Sequence, residues 1–138
     1  MSSSNAILTI AIPTYNRAKF LFKNLSYLKT QYNSNFNILI QDNASTDNTR
    51  DIVKKFIQMD LPINYIRNKK NFGWAKNFEL CYKNNKSSYL MILGDDDYIL
   101  NGGVDIILDN LKNYKPSLLF LKAFSTKKIG RASCRERV

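Results

Sequence analysis

The chain has 138 residues, 44% of them hydrophobic, a formal net charge of +10 and no histidine. That is enough for one domain with a real core, too short for two ordinary ones, and unlike a disordered chain. No apolar run approaches the roughly 20 residues of a spanning helix, and Met1-Ser2-Ser3-Ser4-Asn5 lacks the blocks of a signal peptide, so the chain reads as cytoplasmic. Without histidine there is no imidazole acid–base chemistry and no imidazole metal site. The positive charge suits an anionic partner, whether nucleic acid, an anionic membrane surface or a phosphorylated substrate, although the lysines are scattered rather than gathered into a stripe. Cys81 and Cys134 make neither a disulfide framework nor a zinc pattern.

Along the chain, strand and helix patterns alternate. Ile7 to Ile12 reads as a first strand, closed by Pro13, which cannot donate to a ladder. From Arg17 onward Leu21, Leu25, Leu28 and Tyr32 fall at helical spacing, with Thr14 or Asn16 as N-cap. Phe36 to Ile40 forms a second strand that runs into the short polar residues Gln41 to Asp47. There Asp47 can cap a helix carrying Ile52, Val53, Phe56 and Ile57. Pro62 ends that unit. Ile63 to Ile66 alternates as an edge-like third strand, and Ala75, Phe78 and Tyr82 mark a third helix. Tyr89 to Leu93 is a fourth strand, and after Gly102-Gly103 the residues Val104, Ile107, Leu108 and Leu111 give a fourth helix. Pro116 precedes a fifth apolar run, Leu118 to Leu121, expected as a fifth strand.

This alternation predicts an α/β domain with a mainly parallel sheet covered by helices on both faces. Right-handed crossovers then put the strand-to-helix loops along one edge, where ligands bind in such sheets. Thr14 to Arg17, Asp42 to Asp47 and Gly94 to Asp97 should therefore converge on one crevice. In the last of these, four apolar residues run straight into Asp95-Asp96-Asp97. Three adjacent like charges need a counter-charge, and a hard divalent cation such as Mg2+ or Mn2+, shared with substrate phosphates, supplies one. The other reading of the same residues is a solvated acidic turn. Neither a G-x-G-x-x-G fingerprint nor a P-loop occurs.

Four strings then appear in a telling order. Ile12-Pro13-Thr14-Tyr15-Asn16-Arg17 resembles the opening motif of the family 2 glycosyltransferases with the GT-A fold. Asp42 to Thr49 resembles that family's D-x-x-S-x-D-x-T loop, Asn71 to Asn77 its N-x-G segment followed by A-[RK]-N, and Leu93 to Asp97 its D-x-D strand end. The resemblance covers about Ile7 to Leu121. It implies a GT-A, Rossmann-like sheet, incomplete at its C-terminal end, with residues 1–128 as the nucleotide-sugar-binding part. The implied activity is transfer of a sugar from a nucleoside diphosphate sugar, UDP-sugar favoured, to an unknown acceptor, assisted by Mn2+ or Mg2+ and inverting at the sugar.

By the same resemblance the donor nucleotide site comprises Pro13, Tyr15, Asn16, Arg17, Asp42, Ser45, Asp47, Asn71, Gly73, Lys76, Asp95 and Asp96, with Asp97 ligating the metal. Tyr15 would pack against the base, or is a packing aromatic, and Asp42 would accept hydrogen bonds from the base edge or the sugar. Ser45 and Asp47 would fix their loop. Asn71 and Lys76 would lie near the diphosphate or steady the loop, Lys76 as a point charge rather than a fork. Trp74 is expected to pack the third helix rather than stack on a ligand. The commonest family form of the acidic motif is D-[AS]-D-D, and here Gly94 stands in place of the first Asp.

The catalytic base of an inverting transfer is expected in a missing C-terminal half, since Asp105 and Asp109 read as solvent-facing. Residues 129–138, Ile-Gly-Arg-Ala-Ser-Cys-Arg-Glu-Arg-Val, resemble the translation of a sequencing adapter and are set apart from the fold. Three alternatives stay open. One is a non-catalytic sugar-nucleotide-binding fragment. Another is a nucleotidyltransferase, which usually opens with a Gly-rich, basic loop absent here. The third is a basic module for nucleic acid or membrane. On the favoured reading there is no nucleic-acid partner, and the intact protein could associate peripherally with the inner face of the membrane.

Overall fold

The computed structural model describes residues 5–123, so the segment 129–138 lies outside the described residues. Eight elements alternate along the chain: β1 (Leu8–Thr14), α1 (Ala18–Gln31), β2 (Phe36–Asp42), α2 (Thr49–Gln58), β3 (Ile63–Arg67), α3 (Trp74–Lys83), β4 (Tyr89–Ile92) and α4 (Gly103–Tyr114). The four strands form one parallel sheet in the order β3-β2-β1-β4. β1 and β2 are central and almost wholly buried, which is why they read as continuous apolar runs. β3 lies at an edge, as its alternation predicts.

β1 does not stop at Pro13. It pairs with β2 as far as Thr14 opposite Asp42, but with β4 only from Leu8 to Ala11. The Ala11 carbonyl accepts the last β4-side bond, from Leu93 N at 2.9 Å. Pro13 lies two residues further on and has the same orientation, so the N–H it lacks would face the side where the ladder has already ended.

The two sheet faces are unequally dressed. Leu8, Ile10, Ile12, Ile38 and Ile40 pack in one core with Leu21, Leu25 and Leu28 of α1, Val53 and Phe56 of α2, and Val104, Ile107, Leu108 and Leu111 of α4. On the other face Ala11 and Leu39 meet Cys81 of α3. Burial pushes the Cys81 thiol up to about 12, so this free cysteine is an inert packing group at neutral pH. Leu25 is fully buried, whereas Phe20 on the same helix is 44% exposed. Leu25→Ala should therefore cost about 2–5 kcal/mol in chemical denaturation, and Phe20→Ala less than about 1 kcal/mol.

Two further expectations fail. Leu118 to Leu121 is not a strand. Lys115 turns left-handed (φ 45°) after α4, and the segment beyond it has no sheet partner among the described residues. Only Leu119 reaches the core, while Leu118 and Phe120 are exposed. A four-residue apolar run carries no information about whether a sheet edge is within reach. In α3 the helix is present but the predicted stripe is not its buried face: Ala75, Phe78 and Tyr82 are exposed, and Asn77 and Cys81 are buried.

Candidate functional site

Strand order runs β1, β2, β3 in one direction and then returns to place β4 on the other side of β1. The reversal lies between β1 and β4, and the crevice outside the carboxyl ends of such strands is where α/β sheets bind ligands. A cleft of about 410 Å³ opens there. Its walls are Pro13, Thr14, Tyr15 and Arg17 after β1, Asn43 after β2, the stretch Asn71, Gly73, Trp74, Asn77 and Phe78 around the start of α3, and Gly94 and Asp95 after β4.

The acidic turn is built from the end of β4. Leu93 is buried, and the turn closes with Asp97 N donating to the Gly94 carbonyl at 3.1 Å. Asn24 of α1 donates through Nδ2 to the carbonyls of Gly94 (3.0 Å) and Asp97 (2.7 Å), which fixes the turn against the helix. Asp95 is 7% exposed, accepts a 2.9 Å bond from Thr14 Oγ1 and pairs with Arg17 Nε at 3.2 Å. Asp96 is exposed and pairs with Arg17 Nη2 at 2.9 Å. Burial pushes the Asp95 carboxyl above its ordinary range, against the Thr14 bond and the Arg17 charge, which pull the other way.

The counter-charge that the sequence demands is thus Arg17, and it answers two of the three carboxylates. The Asp97 carboxylate has no hydrogen-bond or ionic partner among the described residues. Gly94 explains how two acids crowd together: a Cβ there would lie 2.8 Å from Asp97 Oδ2 and 3.2 Å from Asp96 Oδ1. Those oxygens lean over the glycine and would have to swing aside to admit a side chain at that position. Among the described residues no three acidic or cysteine side chains converge as a metal cluster. The donors present are hard carboxylate oxygens, two of them close together. This fits a divalent cation that arrives with phosphate and water ligands, as Mg2+ and Mn2+ commonly do.

Behind the cleft, Asn16, Ser45 and Asp47 bind two loops together. Asn16 is left-handed (φ 52°), a conformation asparagine tolerates better than most residues. Its backbone N–H donates to Ser45 Oγ (2.9 Å), and its Oδ1 accepts from the N–H groups of Thr46 (2.7 Å) and Asp47 (3.2 Å). Neither Thr14 nor Asn16 caps α1, because Thr14 is spent on Asp95 and Asn16 on the neighbouring loop. The cap comes from elsewhere in the chain: Asp47 Oδ2 accepts from Ala18 N (3.1 Å), while its Oδ1 accepts from Thr49 N (3.0 Å) and Thr49 Oγ1 (2.6 Å). One carboxylate therefore serves the first turns of both α1 and α2.

Burial acts to raise the Asp47 carboxyl, but the bonds from Thr49 and Ala18 outweigh it and hold the group below its ordinary value. A depressed acid stabilises the fold above its unfolded value and loses that contribution as pH falls through its folded one. Asp47→Ala should cost about 1–2 kcal/mol at pH 7. The gap between the two melting curves should close as the pH is taken down below about 4.

Asp42 lies at the end of β2 and is fully buried. Its Oδ1 accepts from Ser45 N (2.9 Å), and its Oδ2 accepts from Tyr65 Oη (2.5 Å) and faces Arg67 Nε at 3.8 Å. Burial and the Asp42 bond push the Tyr65 hydroxyl well above its ordinary value. Asp42 offers no free oxygen to the cleft in this arrangement.

The sequence reading missed a buried amide network. Gln41, Asn43, Asn68 and Asn77 are all under a tenth exposed. Asn68 donates to Asn43 Oδ1 and Asn77 Oδ1, Gln41 donates to Asn68 Oδ1, and Asn77 donates to the Gln41 carbonyl, all at 2.8–2.9 Å. Asn43 also accepts from Phe72 N (3.0 Å) and donates to Asn71 Oδ1 (2.8 Å) and the Gly73 carbonyl (3.2 Å). This network turns Asn77, rather than the apolar stripe, toward the sheet, and it fixes the 71–73 wall. The clustering of asparagines after β2 and β3 was the available signal.

Of the predicted site residues, Pro13, Tyr15, Arg17, Asn71, Gly73 and Asp95 line the cleft; Asn16, Asp42, Ser45 and Asp47 support it from behind. Asp96 and Asp97 complete the acidic turn. Lys76 is not in the cleft wall and instead pairs with Glu79, which Lys83 also holds, drawing the Glu79 carboxyl down to about 2. Trp74 does not pack the helix into the core. It is 78% exposed, lines the cleft and meets Phe78 edge-on at 6.0 Å, because the Asn77 bonds to Gln41 and Asn68 turn the other face of α3 toward the sheet.

Comparison with known proteins gives a consistent picture. A sequence model described as glycosyl transferase family 2 matches residues 9–129. Abequosyltransferase RfbV of Salmonella typhimurium is 33% identical over 104 residues, covering 73% of this chain and 31% of that protein. Glycosyltransferase GlyA of Streptococcus pneumoniae is 28% identical over 111 residues, covering 80% and 16% respectively. The chain spans about a third or less of the length of these relatives. Among solved structures, S. aureus TarS 1–349 in complex with UDP-GlcNAc superposes with a TM-score of 0.71 at 22% identity, over 78% of this chain and 32% of that one. The mannosyltransferase PcManGT from Pyrobaculum calidifontis, in complex with GDP-Man and Mn2+, gives 0.65 at 21%, over 77% and 31%. At these identities the superpositions establish a shared fold.

Proposed function

The chain belongs to glycosyl transferase family 2, and from that premise we propose that its cleft binds the nucleoside diphosphate of a sugar donor, with UDP-sugar favoured, as the donor half of a sugar-transfer site. The observation that carries this reading is the pairing of Arg17 with the acidic turn at the strand-order reversal. It sets a cation for phosphate beside carboxylates for a divalent ion: Arg17 and Asp95 line the cleft, and Asp96 pairs with Arg17 in the same acidic turn. The complexes of TarS with UDP-GlcNAc and of PcManGT with GDP-Man and Mn2+ support the class of donor and the use of metal.

Each residue then has a task. Tyr15 and Trp74 offer aromatic surface to the base and sugar, Arg17 and Asn71 offer donors to the diphosphate, and Asn43 holds Asn71 and Gly73 in place. Asp97 and Asp96 would hold Mn2+ or Mg2+, whose contribution when bound is to neutralise charge on the leaving diphosphate. An inverting transfer also needs a base for the acceptor hydroxyl. Asp105 and Asp109 are exposed on α4 and outside the cleft wall, so the base is assigned to no described residue.

Trp74 is the only tryptophan in the chain, so its emission reports cleft occupancy. UDP and GDP should each change that emission saturably with Mn2+ present and only weakly without it. A DNA oligomer that binds without metal, with a steep salt dependence, while nucleotides fail to bind, would make the chain a basic binding module instead.

A further inference from the structure

Arg17 lines the cleft and pairs with Asp95 and Asp96 from a side chain that is itself 42% exposed. It also sits 4.6 Å over the Phe20 ring. We propose that Arg17 is a displaceable counter-ion: it neutralises the acidic turn while the cleft is empty and passes to the donor's diphosphate when a divalent cation takes over the carboxylates. This rests on the donor-site reading above and adds a coupling that the reading does not require.

Three observations carry it. The Asp96 oxygen that meets Arg17 at 2.9 Å belongs to the group a cation would share, and a second positive charge there competes with the guanidinium. Asp95 keeps its bond from Thr14 when Arg17 leaves, so release does not strip a buried carboxylate of every partner. Arg17 stands at the cleft wall on the loop ahead of α1, and a planar fork freed at that point is suited to paired phosphate oxygens. Cation and diphosphate then help each other: the cation frees the arginine for phosphate, and the phosphate keeps the arginine from returning.

The prediction has opposite signs for the two ligands, which separates it from a merely structural staple. Mn2+ binding to the nucleotide-free chain, read by the loss of the free-ion EPR signal, should be roughly fivefold tighter in Arg17→Gln. UDP binding at saturating Mn2+, read by Trp74 emission, should be roughly tenfold weaker. The factor by which Mn2+ enhances UDP binding should fall toward one. Arg17→Lys retains charge without the fork and should show both changes in smaller measure, which keeps the test decisive if the Gln variant melts early. A loop staple would instead weaken both ligands together, and that result, or unchanged Mn2+ affinity while UDP still binds the parent chain, overturns the proposal. If the parent chain binds neither Mn2+ nor UDP, the donor-site reading fails and takes this inference with it.

Discussion

Asn43→Leu is expected to destabilise the chain by roughly 3–5 kcal/mol and to weaken nucleotide binding in whatever fraction remains folded. The side chain is buried and joins four groups: it accepts from Asn68 Nδ2 and Phe72 N, and donates to Asn71 Oδ1 and the Gly73 carbonyl. Leucine has similar bulk but neither function, so Asn68 loses one of its two Nδ2 partners and the 71–73 wall loses its tie to β2. Urea denaturation gives the magnitude. Asn43→Asp keeps the acceptor but sets a buried carboxylate oxygen against Asn71 Oδ1 and the Gly73 carbonyl, and at pH 7 should cost at least as much as the leucine variant. A cost below about 1 kcal/mol with unchanged UDP binding would show that the 71–73 wall is held by something else.

Asp97→Asn should leave stability within about 0.5 kcal/mol of the parent, because the carboxylate has no partner among the described residues. Its effect should fall on ligands instead: Mn2+-dependent UDP binding is expected to drop roughly a hundredfold. Asparagine keeps the shape and a carbonyl oxygen but loses the charge, so the change is electrostatic rather than steric. Calorimetric titration of UDP with Mn2+ present, beside a thermal melt, separates the two effects. Equal UDP affinity in parent and variant would remove Asp97 from the metal site and leave Asp96 as the remaining free-edged acid of the turn.

Much of this arrangement was legible in advance because it rests on periodicity. The stripes on α1 and α4 bury as predicted: Leu21, Leu25 and Leu28, and Val104, Ile107, Leu108 and Leu111, pack into one core, and the buried Asn24 of α1 bonds to the acidic turn rather than displacing them. Placing the three polar loops on one edge followed from parallel strands alone, and Arg17 with Asp95 and Asp96 shows two of those loops in contact.

What escaped was decided by partners far apart in sequence. Pro13 stays in β1 because β4 has already stopped pairing, a fact about a strand some eighty positions away. The buried face of α3 is chosen by Asn77 bonding to Gln41 and Asn68, so its apolar stripe of Ala75, Phe78 and Tyr82 points out, and Trp74 stands in the cleft instead of the core. Asp47 was visible as a cap for α2, but its second duty on α1 needed the fold. The counter-charge for the acidic turn was expected as a metal, and the chain carries its own in Arg17.

The most direct test of the donor-site reading is photo-crosslinking with an azido derivative of UDP in the presence of Mn2+, followed by peptide mapping. The account predicts one major adduct, within residues 13–17 or 71–78, suppressed by excess UDP and absent in Asp97→Asn. An adduct elsewhere on the chain, or one that excess UDP fails to suppress, would contradict it.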